Sequence, residues 1–304
     1  MTTGIVILNY LAYKDTIECI SSIKKQTYQD YHIVVVDNDS KNESFDVLST
    51  LYSSDETITL IKNDSNLGFA KGNNVGIACL KQKSIFNVFV INGDTVLKDK
   101  EYLSRLVKTA VAPNIGMIGT TIVSRDGKNQ NTLPVSLNDK NSIKMARIQI
   151  WLMNLLVKTN LLGLVKTAVS KTRTYEKVTS TESNSSKNEL LNPKEKMLHG
   201  SAIYFTENYL KKHIGFYPDT FLYYEEEFLA LICRKLNFKQ LYVPEIKIYH
   251  KEDASSNLLH KTSRNSLKFK LRIIKNNLSI MKEALKMPAN KIEDKVSCTD
   301  VSKV

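Results

Sequence analysis

Asp94 is the residue from which the chemistry of this chain can be read. It lies in Asn92-Gly93-Asp94-Thr95, directly after the apolar run 86–91. Proteins of the α/β class bind ligands at the carboxyl ends of buried strands. A hard divalent cation needs oxygen ligands and usually arrives with phosphates. An isolated carboxylate in a glycine turn at such an end reads either as a Mg2+ or Mn2+ site bridging a diphosphate, with Asn92 beside it, or as a loop aspartate that binds backbone amides. His250 closes the run 246–250 and is either a structural histidine or a candidate metal ligand. Asp37, in Asp37-Asn38-Asp39-Ser40, follows the valine-rich run 32–36. It is either an acceptor for a nucleobase imide or ribose hydroxyl, or ordinary turn chemistry. Glu225-Glu226-Glu227 follows Phe221, Tyr223 and Tyr224 and leads into Phe228 and Leu229. Acids at a helix start complement its dipole. A carboxylate against aromatic walls can also have its pKa raised and serve as a general base.

The stretch 66–74 adds Asn66, Gly68, Gly72, Asn73 and Asn74 in one strand-to-helix loop. It is not G-x-G-x-x-G, and G-x-x-x-x-G-K-[ST] occurs nowhere, so dinucleotide and P-loop readings have no fingerprint. Two readings stay open: an ordinary loop, or one whose amides and asparagines face a nucleotide.

These clusters need elements to hold them. Residues 5–8, 32–36, 57–62 and 86–91 are apolar runs, separated by the helical spacing of Ile17, Ile20 and Ile23, then by 44–52 and 71–80. That alternation predicts an α/β fold with a mostly parallel central sheet covered on both faces. Asp15, with Glu18 three residues on, reads as a capping box for the first helix. A helix over 100–110 and a strand over 116–123 follow. An apolar, basic helical stretch at 144–170 and a polar loop at 178–196 come next. Order returns at 197–205, with a helix over 228–236 and strands at 240–243 and 246–250. Leu267, Leu271, Ile274, Leu278, Met281 and Leu285 then recur at the spacing of one long amphipathic helix. The expected organisation is a nucleotide-binding half at 1–123 and an irregular basic insertion at 124–196. A catalytic half at 197–256 and a basic helix and tail at 257–304 complete it.

Composition bounds the partners. An apolar fraction of 42% supports a full core. Cys19, Cys79, Cys233 and Cys298 are scattered without a C-x-x-C pair, which fits a reduced compartment better than a zinc site or disulfide scaffold. The opening residues do not read as a signal peptide, and no apolar run reaches the ~20 residues of a membrane span. The net charge of +12 resides in two segments: 144–177 holds seven Lys/Arg and one Glu, and 257–304 holds eleven Lys/Arg and four acids. Such segments attract nucleic acid or anionic lipid. Nucleic acid is disfavoured, because the basic helix has no interleaved aromatic besides Phe269 and no recognisable nucleic-acid module is present.

Taken in order, strand–Asn9-Tyr10, strand–Asp37-Asn38-Asp39-Ser40, Asn66-Leu67-Gly68-Phe69-Ala70-x-Gly72-Asn73-Asn74-x-Gly76, Asn92-Gly93-Asp94-Thr95, Tyr224-Glu225-Glu226 and His250 form a recognisable series. It resembles the family 2 inverting glycosyltransferases, most of all the rhamnosyltransferase-like branch of bacterial surface-polysaccharide synthesis, over about residues 4–256. The resemblance implies a glycosyltransferase A-type fold with a C-terminal helical extension, a nucleotide-sugar-binding first half and an acceptor-binding second half. It implies that Asn9, Tyr10 and Asp37 hold the nucleoside and that Asn66, Gly68, Asn73 and Asn92 lie near the donor. Asp94 and His250 would bind Mn2+ or Mg2+, and His199-Gly200 would open the acceptor side. Glu226, paired with Glu225, would be the general base.

Three positions depart from the family's pattern. Asn92-Gly93 leaves Asp94 as its turn's only acid, Glu226 stands where the family usually has Asp, and Phe228 replaces a second acid. The activity implied is single-step transfer from a UDP- or dTDP-sugar to a hydroxyl of a saccharide borne on polyprenyl diphosphate, in capsule or cell-wall synthesis. The location implied is cytoplasmic and peripheral, at the inner face of the plasma membrane, with the basic helices on anionic lipid. The rival for those helices is packing on the core or a homodimer contact. The rival for the chain is a non-catalytic nucleotide-sugar-binding partner of another transferase.

Overall fold

The valine and isoleucine runs become strands because both of their faces are buried. The computed structural model describes residues 2–109, 111–159, 187–251 and 264–298. Within it β1 (Thr3–Asn9), β2 (Tyr31–Asp37), β3 (Ile58–Lys62) and β4 (Val88–Asn92) are parallel neighbours in the order β3-β2-β1-β4. Successive side chains point to opposite faces of a strand. Val6, Val34, Val36, Val88 and Val90 thus face one layer. Ile5, Ile7, Ile33, Val35, Phe89 and Ile91 face the other. The first layer is closed by α3 (Gly68–Gln82), α7 (Glu225–Leu236), α8 (Arg264–Lys286) and α9 (Ala289–Val296). The second is closed by α1 (Tyr13–Lys24), α2 (Ser44–Tyr52) and α4 (Tyr102–Val107). This is the mostly parallel, helix-flanked sheet with a C-terminal helical extension that the alternation predicts.

The sheet continues past β4 through β10 (Ala202–Phe205), β6 (Ile115–Val123), β11 (Lys239–His250) and β5 (Thr95–Val96). β10 is antiparallel to both of its neighbours, so a strand from beyond residue 200 lies inside the sheet begun by the first ninety residues. The separate strands expected at 240–243 and 246–250 are one strand. Pro244 gives no amide to a ladder, and the pairing with β6 shifts register between Val243 and Lys247 before resuming. The strand ends where His250 pairs with Thr95, beside Asp94. β8 (Glu189–Leu191) also pairs with β11, so part of the expected loop at 178–196 is a strand; residues 178–186 lie outside the described residues. A two-stranded sheet joins β7 (Leu133–Pro134) to β9 (Lys196–Met197).

Two helix expectations need correction. The first turn of α1 has no side-chain cap; Asp15 and Glu18 instead pair with the Lys251 ammonium. The basic stretch begins earlier than its apolar pattern indicates. α5 (Lys140–Lys158) starts at a capping box made by Asp139 and Ser142, and the remainder to 170 lies outside the described residues. The long C-terminal helix α8 packs on the core, burying Leu271, Leu278 and Met281, and lies against α5. A short α6 (Glu207–Leu210) adds Tyr209 and Leu210 to the core. No helix among the described residues is long and apolar enough to cross a membrane.

Candidate active site

The parallel register brings three strand ends together. Asn9 lies opposite Asp37, and Leu8 lies opposite Asn92. Asp37 is buried, and both of its oxygens are engaged: Asn9 Nδ2 donates to Oδ2 at 2.7 Å and the Ser40 amide to Oδ1 at 2.9 Å. Thr16 Oγ1 donates to Asn9 Oδ1 at 3.0 Å, so Asn9 is fully occupied and orients Asp37 from beneath. Each carboxylate oxygen keeps a further acceptor site for a ligand. Tyr10, at the same edge, is 42% exposed.

The loop entering α3 is shaped by asparagines. Asn38 is its organiser, and the sequence patterns do not single it out. Its Nδ2 donates to Asn66 Oδ1 and to the Gly68 carbonyl, and its Oδ1 accepts from Asn63 Nδ2 and the Leu67 amide, at 3.0–3.1 Å. Asn66 Oδ1 also accepts from the Gly68 amide at 2.9 Å. Gly68 has φ +79°, and a Cβ there would lie 2.1 Å from the Phe221 carbonyl oxygen. The Phe69 amide donates to that same oxygen at 2.7 Å. Asn73 Nδ2 donates to the Phe69 carbonyl, while its buried Oδ1 has no hydrogen-bond partner. Asn74 holds both backbone groups of Phe216, at 2.8 and 2.9 Å.

The Asp94 carboxylate is buried, and its Oδ1 accepts no hydrogen bond. That oxygen lies 3.2 Å from His250 Nε2. Gln130 Oε1, an acceptor, is 2.8 Å from His250 Nδ1, which places the ring proton on Nδ1. The other ring nitrogen, Nε2, thus faces the one carboxylate oxygen that has no hydrogen-bond partner, and a cation bound there would engage both groups. Burial alone would raise the Asp94 carboxyl; the His250 ring, the turn amide and Lys251 outweigh it and hold the pKa below the ordinary value. The residues therefore fit a divalent ion, with Gln130 fixing the histidine tautomer from behind. No group of three or more candidate side chains that could hold a metal occurs among the described residues. Phosphate oxygens and water would have to complete the shell. His199 stands edge-on to His250 at 6.0 Å between ring centroids and accepts from the Ser201 amide through Nδ1 at 3.1 Å. Burial, then the neighbouring His250, depresses its pKa, so it is neutral.

The three glutamates have three different environments. Glu227 accepts from the Ser136 amide at 2.7 Å and the Leu137 amide at 3.2 Å, and so anchors the segment before α5. Glu225 is buried, and its Oε1 has no partner; burial, then repulsion from Glu226, pushes its pKa up to about 8. Glu226 is half-buried and accepts from the Gly200 amide at 3.0 Å, and burial raises its pKa. A Cβ at Gly200 would lie 2.6 Å from that same carboxylate oxygen. Phe228 is fully buried and stacks on Tyr217 at 4.7 Å, so this position belongs to the core.

Tyr223 and Tyr224 precede α7 with φ of 75° and 69°. Left-handed backbone at non-glycine residues costs on the order of 1–3 kcal/mol each and persists only where surroundings enforce it. Asn277 of α8, fully buried, does so by donating Nδ2 to the carbonyls of Leu222 and Tyr223, both at 2.8 Å. The sequence offers one signal for it: an asparagine among the buried apolar positions of an amphipathic helix.

The segment 199–201 joins the two ends of the site. Gly200 touches Glu226, His199 touches His250, and the Ser201 carbonyl accepts from the Asn92 amide at 2.9 Å. Asn92 thus bridges to this segment through its backbone. The structure brings Asp94, His250, His199, Gly200 and Glu226 together, with Asn9, Asp37 and Tyr10 along the neighbouring strand ends.

The sequence matches the family model "Glycosyl transferase family 2" over residues 4–167. A glycosyltransferase GlyG of Streptococcus pneumoniae is 27% identical over 96 residues, 32% of this chain and 31% of that protein. An uncharacterized glycosyltransferase of Haemophilus influenzae is 33% identical over 80 residues, 26% of this chain and 25% of that protein. The chain thus aligns with about a quarter to a third of the length of these relatives. Among solved structures, the mannosyltransferase PcManGT of Pyrobaculum calidifontis, in complex with GDP-Man and Mn2+, superimposes with a TM-score of 0.51 at 13% identity, covering 96% of this chain and 72% of that one. GalNAc-T7 with UDP, GalNAc and Mn2+ gives a TM-score of 0.53 at 11% identity, covering 84% and 44%. These two likenesses concern the fold, a glycosyltransferase A-type sheet.

Proposed function

Because the chain belongs to glycosyl transferase family 2, we propose that it transfers a sugar from a UDP- or dTDP-sugar to an acceptor hydroxyl with inversion at the anomeric carbon. The observation that supports this most is the shared footing of two acidic sites. Asp94 with His250, and Glu226, lean on the same segment 199–201. One site suits a leaving diphosphate and the other an incoming hydroxyl.

Asp37, oriented by Asn9 and Ser40, receives the base or ribose. Asp94 and His250 would hold Mn2+ or Mg2+, which when bound offsets negative charge on the diphosphate. Mn2+ accompanies the donor or its product in both proteins of similar fold, which favours that ion here. Glu226 accepts the proton of the acceptor hydroxyl. Its raised pKa makes it a better base than an ordinary carboxylate while the Gly200 amide steadies the anion. Glu225, with its pKa near 8, is protonated at neutral pH. It leaves the base role to Glu226 and spares it a second negative charge.

The acceptor in this reading is a saccharide borne on a polyprenyl diphosphate at the inner face of the plasma membrane, in capsule or cell-wall synthesis. A donor screen by nucleoside diphosphate release, with and without chelator, tests the reaction. Glu226→Gln should cut turnover by ~10²–10⁴ and leave donor binding nearly intact. Parent-like turnover in that variant would remove Glu226 from the mechanism.

A further inference from the structure

The outer side of α5 carries a surface that the transfer reaction does not use. Met145, Ile148, Trp151, Leu152 and Leu155 form one stripe along it, each between 41% and 63% exposed. The opposite side buries Ile143 and Val157 and packs toward α8. Lys140, Lys144, Arg147 and Lys158 flank the stripe, and the helix contains no acidic residue. Lys282 of α8 lines the same groove as Lys144, Arg147, Ile148 and Trp151.

We propose that this face is a docking surface for an anionic lipid membrane, in which α5 lies in the interface plane. An apolar stripe bordered by basic residues inserts into the headgroup boundary, tryptophan favours that depth, and lysine and arginine are drawn to anionic headgroups. A second copy of the same face is a poor occupant. A two-fold contact would set this acid-free basic helix against itself. A nucleic acid would leave the aliphatic stripe without a use. The inference rests on the transferase reading only for its purpose, the meeting with a lipid-borne acceptor; the binding stands by itself.

Trp151 is the single tryptophan of the chain, so its fluorescence reports this face and no other. The full chain is mixed at low salt with phosphatidylcholine vesicles, with or without phosphatidylglycerol, and assayed by flotation and by tryptophan emission. Expected are flotation, a blue shift and quenching by bromine-labelled acyl chains, all requiring phosphatidylglycerol and weakened by salt. Lys144→Glu with Arg147→Glu should weaken partitioning by roughly tenfold or more. Ile148→Glu with Leu152→Glu should abolish the blue shift while thermal unfolding stays that of the parent. Absence of flotation would overturn the proposal. So would flotation with Trp151 still in an aqueous environment, or a blue shift that grows with protein concentration and needs no lipid. Loss of nucleoside diphosphate release in an arm where lipid binding persists would count against the transferase reading alone.

Discussion

Gly200→Ala tests the proposed general base without altering it. The Gly200 amide holds Glu226 Oε1 at 3.0 Å, and an added Cβ would fall 2.6 Å from that oxygen, about 0.8 Å inside the 3.4 Å at which ordinary contact begins. The backbone at 200 has no left-handed φ, so alanine fits there without strain. The atom in the way is the end of a flexible side chain, so the carboxylate moves and the fold stays. The thermodynamic cost is the weakened hydrogen bond to a charged group, about 1.5–3 kcal/mol at most. The catalytic cost is of similar size, because a misplacement near 1 Å is worth about 10² in rate, or ~2.7 kcal/mol of barrier. Donor affinity should be unchanged, since Asn9, Asp37 and Asp94 are untouched. The assay is steady-state nucleoside diphosphate release, with donor binding by calorimetry and a melting curve alongside. Turnover within about threefold of the parent would refute the placement of the base at Glu226. So would equal losses of donor affinity and turnover.

Asp94→Asn keeps the shape of the turn but removes its only carboxylate; the gain in donor affinity that Mn2+ confers should vanish by calorimetry, and its persistence would place the ion elsewhere. Glu225→Gln bears on pH. The folded pKa near 8 lies above the ordinary value of 4.5, so between them the folded chain keeps a proton that the unfolded chain has lost. Stability therefore falls as pH rises across that window. The variant should flatten the dependence of melting temperature on pH and melt higher than the parent at the alkaline end; an unchanged slope would contradict the assignment. Asn277→Leu removes both hydrogen bonds to the Leu222 and Tyr223 carbonyls. Stability should fall by about 1–3 kcal/mol in a denaturant titration, and turnover should fall with donor affinity retained; full turnover would make the contact purely structural.

The strand ends proposed to hold the donor were legible because their signals are local. Valine and isoleucine runs that end in Asn9, Asp37 and Asn92 declare strands buried on both faces, and parallel register then aligns their ends. Asp94 and His250 meet because β11 runs on past Pro244 to pair with Thr95. Sequence spacing offered them separately as a turn acid and a strand-end histidine. What stayed hidden depends on distant pairings. Nothing near Gln130 announces that it holds His250 across 120 positions. Asp15 and Glu18 have the spacing of a cap, but Lys251 is the stronger partner in the folded chain. Residue type alone does not distinguish the three glutamates; tertiary contacts separate an anchor at Glu227, a buried acid of raised pKa at Glu225 and a carboxylate held by the Gly200 amide at Glu226. The C-terminal helix showed its apolar spacing, while Asn277 gained meaning only once the tyrosine turn lay beneath it.

The Phe221 carbonyl takes the Phe69 amide and stands where any side chain at Gly68 would go, and two residues later Asn277 grips the same stretch of backbone. The loop entering α3 and the turn before α7 are therefore cut to each other like two halves of one casting. A chimera that grafts residues before 124 from a relative onto the rest of this chain inherits a mismatch at 68–69 against 221–223. Swaps meant to change sugar preference should transplant both strips together.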